Sequence, residues 1–297
     1  MRAPAGGSCS RKLEGMPELP EVETIARGLD QRVAGDVVES VWLGEKPEPL
    51  KSPAREIASM LERARIARVR RVGKHIVFDL ECANRNSRKS SRIRGQWIVH
   101  LGMTGRLLVA SPEVEIARHT HAVLKLASGR ELRFVDPRRF GRLAVVRIES
   151  ESAVGFVAPG DEPLDSQIER FLTLFSGRKT PIKSALLNQK LLSGVGNIYA
   201  DESLFRAGIR PRRRAASLTG EQLRRLHGAV QEVLLEAIKL GGSSVSDYVD
   251  AEGREGFFQL QHRVYGREGE PCLVCGASIK RVIIAGRSSH YCPHCQK

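Results

Sequence analysis

The chain has 297 residues, 41% of them hydrophobic, which suits two domains with cores of their own. Its 48 Lys and Arg outnumber 34 Asp and Glu, and the net charge of +14 points to a polyanionic partner, nucleic acid first and a membrane surface second. No apolar run is long enough to span a bilayer. The six cysteines, four of them in one short segment, exclude a disulfide framework and fit a reducing compartment, the cytoplasm.

Residues 1–15 show no apolar core of a secretory signal. Three readings compete for them: a misassigned start upstream of Met16, a processed leader or a disordered tail; the first is favoured, and removal of Met16 then leaves Pro17 first. A terminal proline is a secondary amine held at a fixed place. An α-amine has a pKa of about 7.7–8.0, so part of it is neutral and nucleophilic at cellular pH. Glu18, its neighbour, is placed to move protons. Inside a longer chain the same Pro17 has an amide nitrogen and only opens a helix. That helix is expected over Pro20–Val33, with Val22, Ile25, Leu29 and Val33 on one apolar face. Pro20 suits its first turn, and Glu21 and Glu23 suit its positive end.

Short branched or alternating runs follow: Val37–Leu43, Ile66–Val72, His75–Leu80, Gln96–Leu101, Arg106–Val109, His121–Leu126, Glu131–Val135 and Arg142–Ile148. With a short helix opened by Ser52-Pro53, they predict a two-sheet sandwich or flattened barrel behind the first helix. Asn84–Arg94, basic and Ser-rich, reads as an exposed loop. Lys74 begins a strand after Arg70-Arg71-Val72-Gly73. His100-Leu101-Gly102-Met103-Thr104-Gly105 and Asp136-Pro137-Arg138-Arg139-Phe140-Gly141 are tight connections carrying large apolar residues. Met103 and Phe140 are either core residues or wedges for a base stack.

Strand patterning stops in the Gly-, Pro- and acid-rich stretch 155–165, where a domain boundary is expected. Helices are predicted around Ile168–Phe175, from Ile182, and over Leu223–Ile238 behind the capping box Thr219-Gly220-Glu221-Gln222. Gly194-Val195-Gly196-Asn197 joins two helical patterns. It is either a plain corner or a turn that aims backbone N–H groups and Asn197 at a phosphate. Ser243–Gln261 is polar and reads as a mobile loop. Cys272-Leu273-Val274-Cys275 and Cys292-Pro293-His294-Cys295, sixteen residues apart, have the spacing of a four-thiolate zinc ribbon around a β-hairpin. One structural Zn²⁺ is expected; His290 and His294 are weaker ligand candidates. Arg287 lies toward the hairpin tip, within reach of a phosphate or simply solvated.

Taken together, Pro-Glu-Leu-Pro-Glu-Val-Glu-Thr from Pro17, His-Leu-Gly-Met-Thr-Gly from His100, Asp-Pro-Arg-Arg-Phe-Gly from Asp136, Gly-Val-Gly-Asn-Ile-Tyr-Ala from Gly194 and the zinc ribbon resemble the bacterial formamidopyrimidine-DNA glycosylase family over residues 16–297. The resemblance implies an α+β fold: an N-terminal helix with a two-sheet β-sandwich (16–155), a helical domain with a helix–two-turn–helix (156–262) and a zinc finger (263–297). It implies a monomeric bifunctional glycosylase and abasic-site lyase that binds double-stranded DNA containing oxidised bases or abasic sites. Pro17 would attack C1′ of a flipped-out oxidised purine, with Glu18 as acid/base partner. Lys74 would assist near the phosphate and in β-elimination, and Arg287 would serve δ-elimination. His119, Arg138, Arg178 and Asn197 would bind DNA; Met103, Arg138 and Phe140 would fill the hole; Ser243–Gln261 would close over the base. The readings it leaves beside this one are an endonuclease VIII-like enzyme for oxidised pyrimidines, disfavoured by Leu19 and the Arg-Arg-Phe turn, and a non-catalytic zinc-dependent DNA-binding protein if residues 1–15 stay on.

Overall fold

The computed structural model describes residues 16–82, 93–149, 153, 155–243 and 257–297. The extension 1–15, residues 84–92 of the basic stretch and residues 244–256 of the expected loop lie outside them. Helix α1 (Leu19–Val33) has Pro20 in its first turn, where a missing N–H costs nothing. Its expected stripe of Val22, Ile25, Leu29 and Val33, with Ala26, is buried on the β-sandwich. Leu19 departs from that pattern: it packs instead into the helical half of the molecule. The helix therefore spans two cores, and its first turn sits at their junction.

The sandwich holds β1 (Val38–Leu43), β2 (Arg65–Val72), β3 (His75–Cys82), β4 (Ile93–His100), β5 (Arg106–Ala110), β6 (Thr120–Leu126), β7 (Glu131–Val135) and β8 (Arg142–Ile148), with α2 (Ala54–Leu61) after β1. The sheets run β2-β3-β4-β8 and β1-β6-β7-β5, antiparallel throughout. Trp97 and Phe78 stack between them, ring centroids 4.7 Å apart. Every residue of β7 is buried. Arg133 fits there because Glu131 pairs with it at 2.7 Å and the carbonyls of Ser111 and Glu115 accept its remaining N–H groups. The chain changes sheet between β1 and β2, between β4 and β5 and between β7 and β8. Pairing of His100 with Arg142 and of Arg106 with Val135 sets the β4–β5 and β7–β8 connections side by side at one end of the sandwich.

The helical half comprises α3 (Ile168–Phe175), α4 (Ile182–Leu186), α5 (Asn197–Arg206) and α6 (Gly220–Lys239). The expected capping box opens α6: Gln222 N–H donates to Thr219 Oγ1 (3.2 Å), and Thr219 N–H donates to Gln222 Oε1 (3.0 Å). The segment 155–165 carries no strand or helix, yet it is fastened on both sides. Phe156 N–H donates to Gln96 of β4 (2.6 Å), Glu162 accepts from Gly73 N–H (2.5 Å) and Arg71 (2.7 Å), and Asp161 N–H donates to Leu191 O (3.1 Å). It works as a strap, which composition alone does not disclose. The end of the expected mobile loop is likewise fixed: Phe258 begins a 3₁₀ turn and is buried in the helical core. Strands β9 (Lys280–Ile284) and β10 (Arg287–Tyr291) form the C-terminal hairpin, turning through Ala285 (φ 47°) and Gly286 (φ 76°).

Because Leu29 is fully buried between α1 and the sandwich, Leu29→Ala is expected to lower the unfolding free energy by about 2–5 kcal/mol in a denaturant titration.

Candidate active site

The first turn of α1 docks onto the Gly194–Asn197 turn. Leu19 N–H donates to Gly194 O (3.0 Å). A Cβ at Gly194 (φ +94°) would come within 2.8 Å of the Leu19 side chain, and one at Gly196 would overlap the Glu18 carboxylate. Both glycines are thus required by close approach. Gly196 caps α5, and the freed space puts the Glu18 carboxylate on that helix's positive end. Ile198 N–H donates to Glu18 Oε1 (3.2 Å). The sequence offers these N–H groups as a phosphate grip; the structure gives them to a carboxylate of the same chain.

Glu18 is 4% exposed, and its Oε2 has no hydrogen-bond partner among the described residues. Burial raises its pKa; the Lys74 charge and the N–H groups of Ile198, Tyr199 and Gly196 pull the other way. Lys74 shares the β2–β3 turn with Gly73 (φ +58°), one residue ahead of the strand it is expected to begin, and Glu162 holds the Gly73 N–H. Burial lowers its pKa, Glu18 and Glu21 raise it, and Arg287 lowers it. The pair is therefore driven toward its neutral forms by desolvation and held back by mutual attraction.

Glu21 links three elements: it accepts from Glu18 N–H (2.9 Å), from the Tyr199 hydroxyl of α5, and from Ser243 N–H beyond α6 (2.7 Å). Burial, then the Glu18 charge, push its carboxyl up to about 7. Ahead of Glu18, Pro17 is half-buried and Met16 is 38% exposed.

Met16, Glu18, Lys74, Met103, Asn197 and Arg287 meet around one cleft of about 960 Å³. Pro17 lies between two of these residues in the chain. The floor carries a row that sequence reading missed. Pairing sets His75 opposite His100 and His100 opposite Arg142 across β3, β4 and β8, and all three line the cleft. His100 Nδ1 accepts from Gly102 N–H (3.1 Å), which requires that nitrogen unprotonated. Burial, then His75, Arg142 and Lys74, bring its pKa down to about 4. Only strand register reveals this row. Tyr265 also lines the cleft.

The opposite wall is the C-terminal hairpin, locked by a buried network. Lys183 Nζ pairs with Asp201 Oδ1 (2.7 Å) and donates to Ser288 O (2.6 Å). His290 N–H donates to Asp201 Oδ2 (2.8 Å), and Asn197 Nδ2 donates to Ser288 Oγ (3.3 Å). Arg287, next to Ser288, is exposed and faces the cleft. Of the other expected residues, Arg138 and Phe140 sit on the β7–β8 connection beside the Met103 turn; Phe140 is 52% exposed with the Arg138 guanidinium 4.9 Å from its ring centroid. His119 is exposed in a left-handed conformation (φ 69°), its carbonyl accepting from Asp136 N–H. Arg178 is exposed just beyond α3, its Nε donating to Leu174 O, and does not line the cleft.

The four Sγ atoms of Cys272, Cys275, Cys292 and Cys295 lie within 4.8 Å of one another, with pairs at 3.9 and 3.4 Å. A tetrahedron with metal–sulfur bonds of about 2.3 Å needs sulfurs about 3.8 Å apart. Val274 and Cys295 N–H groups donate to Cys272 and Cys292 Sγ, which favours thiolates. The set fits one structural Zn²⁺ and leaves no coordination position for water.

A passive DNA-binding surface has no need to bury a carboxylate oxygen without a partner beside a desolvated lysine. Cationic walls around such a pair define a DNA-processing enzyme. Comparison with known proteins agrees. The formamidopyrimidine-DNA glycosylase N-terminal domain matches residues 16–143, the formamidopyrimidine-DNA glycosylase H2TH domain residues 159–249, and the zinc finger found in FPG and IleRS residues 269–297. The formamidopyrimidine-DNA glycosylase of Solibacter usitatus is 46% identical over 286 residues, 95% of this chain and 100% of the relative. The solved MutM (FPG) protein of Thermus thermophilus is 42% identical with a TM-score of 0.78, covering 94% of this chain and 98% of that one. The Lactococcus lactis enzyme in complex with Fapy-dG-containing DNA is 31% identical with a TM-score of 0.80, covering 94% and 100%. The chain belongs to the formamidopyrimidine-DNA glycosylase family.

The site's chemistry leads to two expected outcomes. A carboxyl whose folded pKa lies above its unfolded value holds its proton more tightly when folded. Glu21, at about 7 against an ordinary 4.5, thus adds stability that is full below pH 4.5 and lost as pH rises toward 7. Glu21→Gln removes that component, and its Tm is expected to fall less than that of the wild type between about pH 5 and 7.5. Cys275→Ser leaves three thiolates; zinc per chain, read by atomic absorption after dialysis against a chelator, is expected to drop from about one to near zero.

Proposed function

We propose that this protein is a bifunctional DNA glycosylase and abasic-site lyase of base excision repair, removing oxidised purines such as 8-oxoguanine and formamidopyrimidines. The observation that carries the reading is the buried Glu18 carboxylate facing Lys74 at the first turn of the helix that Pro17 precedes. In the working form Met16 is the start and is removed, so that the Pro17 nitrogen is a free secondary amine. The damaged nucleotide is flipped into the cleft at a cost of a few kcal/mol. The Pro17 nitrogen attacks C1′, the C1′–base bond breaks, and the bonding pair leaves with the base, which takes a proton. The sugar ring opens to an iminium, with Glu18 exchanging the proton at the ring oxygen. The iminium draws electrons from C2′ as a proton is removed there, with Lys74 assisting, and the 3′-phosphate departs. Arg287 serves the second elimination, in which the 5′-phosphate departs.

Asn197, His119, Arg138 and Arg178 supply salt-sensitive grip on the backbone. Met103, Arg138 and Phe140 fill the hole. This reading divides the chain into a catalytic part (16–155), a DNA-gripping helical part (156–262) and a zinc finger (263–297). It places the protein in the cytoplasm with the chromosome; among the described residues no helix is long and apolar enough to cross a membrane.

Borohydride is expected to trap a covalent adduct between Pro17 and DNA carrying 8-oxoguanine opposite cytosine, located by mass spectrometry. Pro17→Gly is expected to keep binding within about threefold while turnover falls by about two orders of magnitude. Active protein whose N-terminal sequence starts at Met1 contradicts the assignment of the nucleophile. Faster excision of thymine glycol than of 8-oxoguanine favours the pyrimidine reading.

A further inference from the structure

The β4–β5 and β7–β8 connections, Leu101–Gly105 and Asp136–Gly141, carry the tips Met103 and Phe140. They are joined through one carboxylate. Asp136 is fully buried. Its Oδ1 accepts from the Thr104 hydroxyl (2.5 Å) and from Arg138 N–H (3.2 Å); its Oδ2 accepts from Gly141 N–H (2.7 Å). Thr104 Oγ1 also lies 3.3 Å from Arg138 N, so the hydroxyl and the carboxylate hold the same backbone group. The two backbones touch directly as well: a Cβ at Gly102 (φ +65°) would come within 2.6 Å of the Phe140 carbonyl carbon. The stem below is anchored by the Asp136 carbonyl, which faces His121 Nε2 at 2.9 Å.

We infer that Thr104 and Asp136 splint the two tips into a single rigid wedge, and so are positioning residues for extrusion of the damaged base. The inference rests on the glycosylase reading and deepens it. Inserting apolar groups into a base stack costs a few kcal/mol per step, recovered only when the inserted groups stay where the base was. Tips that moved separately would have to be ordered during insertion, and that ordering opposes it. Here the ordering is complete before DNA arrives. The Asp136 carboxylate is satisfied entirely inside the two connections, so neither tip moves without breaking a charge-assisted hydrogen bond. Neither Thr104 nor Asp136 needs to touch DNA for this to act.

The test separates extrusion from sugar chemistry. Thr104→Val keeps the shape and removes the hydroxyl; Thr104→Ser keeps the hydroxyl. Single-turnover excision of 8-oxoguanine from a fully paired duplex is compared with cleavage at a preformed abasic site, where no base has to be expelled. Thr104→Val is expected to slow excision about tenfold or more while abasic-site cleavage stays within about threefold of wild type. Thr104→Ser is expected to restore excision to within about threefold. Equal slowing on both substrates, no slowing on either, or a Thr104→Ser variant as slow as Thr104→Val overturns the splint. Wild-type protein inactive on both substrates overturns the glycosylase reading instead. Asp136→Asn, with folding checked by its melting curve, is a second arm and is expected to show the same split.

Discussion

The structure depends on a carboxylate resting on the start of a helix from the other half of the molecule. Glu18 is the N-cap residue of α1, and the N–H group that meets it belongs to α5. Removing a carboxylate from water costs several kcal/mol, and the bare site offsets this with oriented N–H groups, a helix dipole and the Lys74 charge. The N–H groups and the dipole, which belong to α5, are in place only once the sandwich and the helical half close on each other. Gly194 and Gly196 are what allow the closure, since a side chain at either would strike Leu19 or Glu18. The position of Pro17 is thus a consequence of the junction and not of α1 alone.

The surrounding contacts all reinforce that junction. Arg71, on β2, bridges Glu23 of α1 (2.8 Å) and Glu162 of the strap (2.7 Å), its side chain only 7% exposed. Glu21 ties α1 to α5 and to the residues after α6. Lys183 and Asp201 tie α4 and α5 to the hairpin that carries Arg287. Pro17, Glu18, Lys74 and Arg287 sit where α1, the β2–β3 turn, α5 and the hairpin converge, and each of these is held to a neighbour by at least one buried charged group. Buried ion pairs are a weak source of net stability, but breaking one by removing a partner costs about 3–5 kcal/mol, which makes such pairs effective at fixing one arrangement.

Local rules make much of this legible in the sequence. The 3.6-residue stripe of α1, the Thr219 capping box, the alternation of β5 and the cysteine spacing each act within a few residues, and each matches the structure. Glu18, Lys74, Asn197, Met103 and Arg287 are legible through motifs, and the cleft brings them together. What stays hidden depends on long-range pairing. The His75–His100–Arg142 row exists only in the register of β3, β4 and β8. Lys183 and Ser288 are 105 residues apart. The Gly194–Asn197 turn differs from its sequence reading for the same reason: a helix N-terminus attracts any anion, and sequence does not say that the anion comes from residue 18. The strap at 155–165 lacks periodicity because its hydrogen bonds go to side chains and distant backbone rather than to a ladder.

The electrostatics of the cleft also bear on when the chemistry can begin. In the bare protein, burial pushes Glu18 toward its neutral form and Lys74 toward its own. A DNA backbone lying against the cationic walls adds negative charge beside both groups. Negative charge raises the pKa of a carboxyl and of an ammonium alike. For Glu18 that acts in the same direction as burial. For Lys74 it opposes burial. Exposed charges beyond a Debye length of about 8 Å are largely screened at physiological salt, and only phosphates seated in the cleft have this effect.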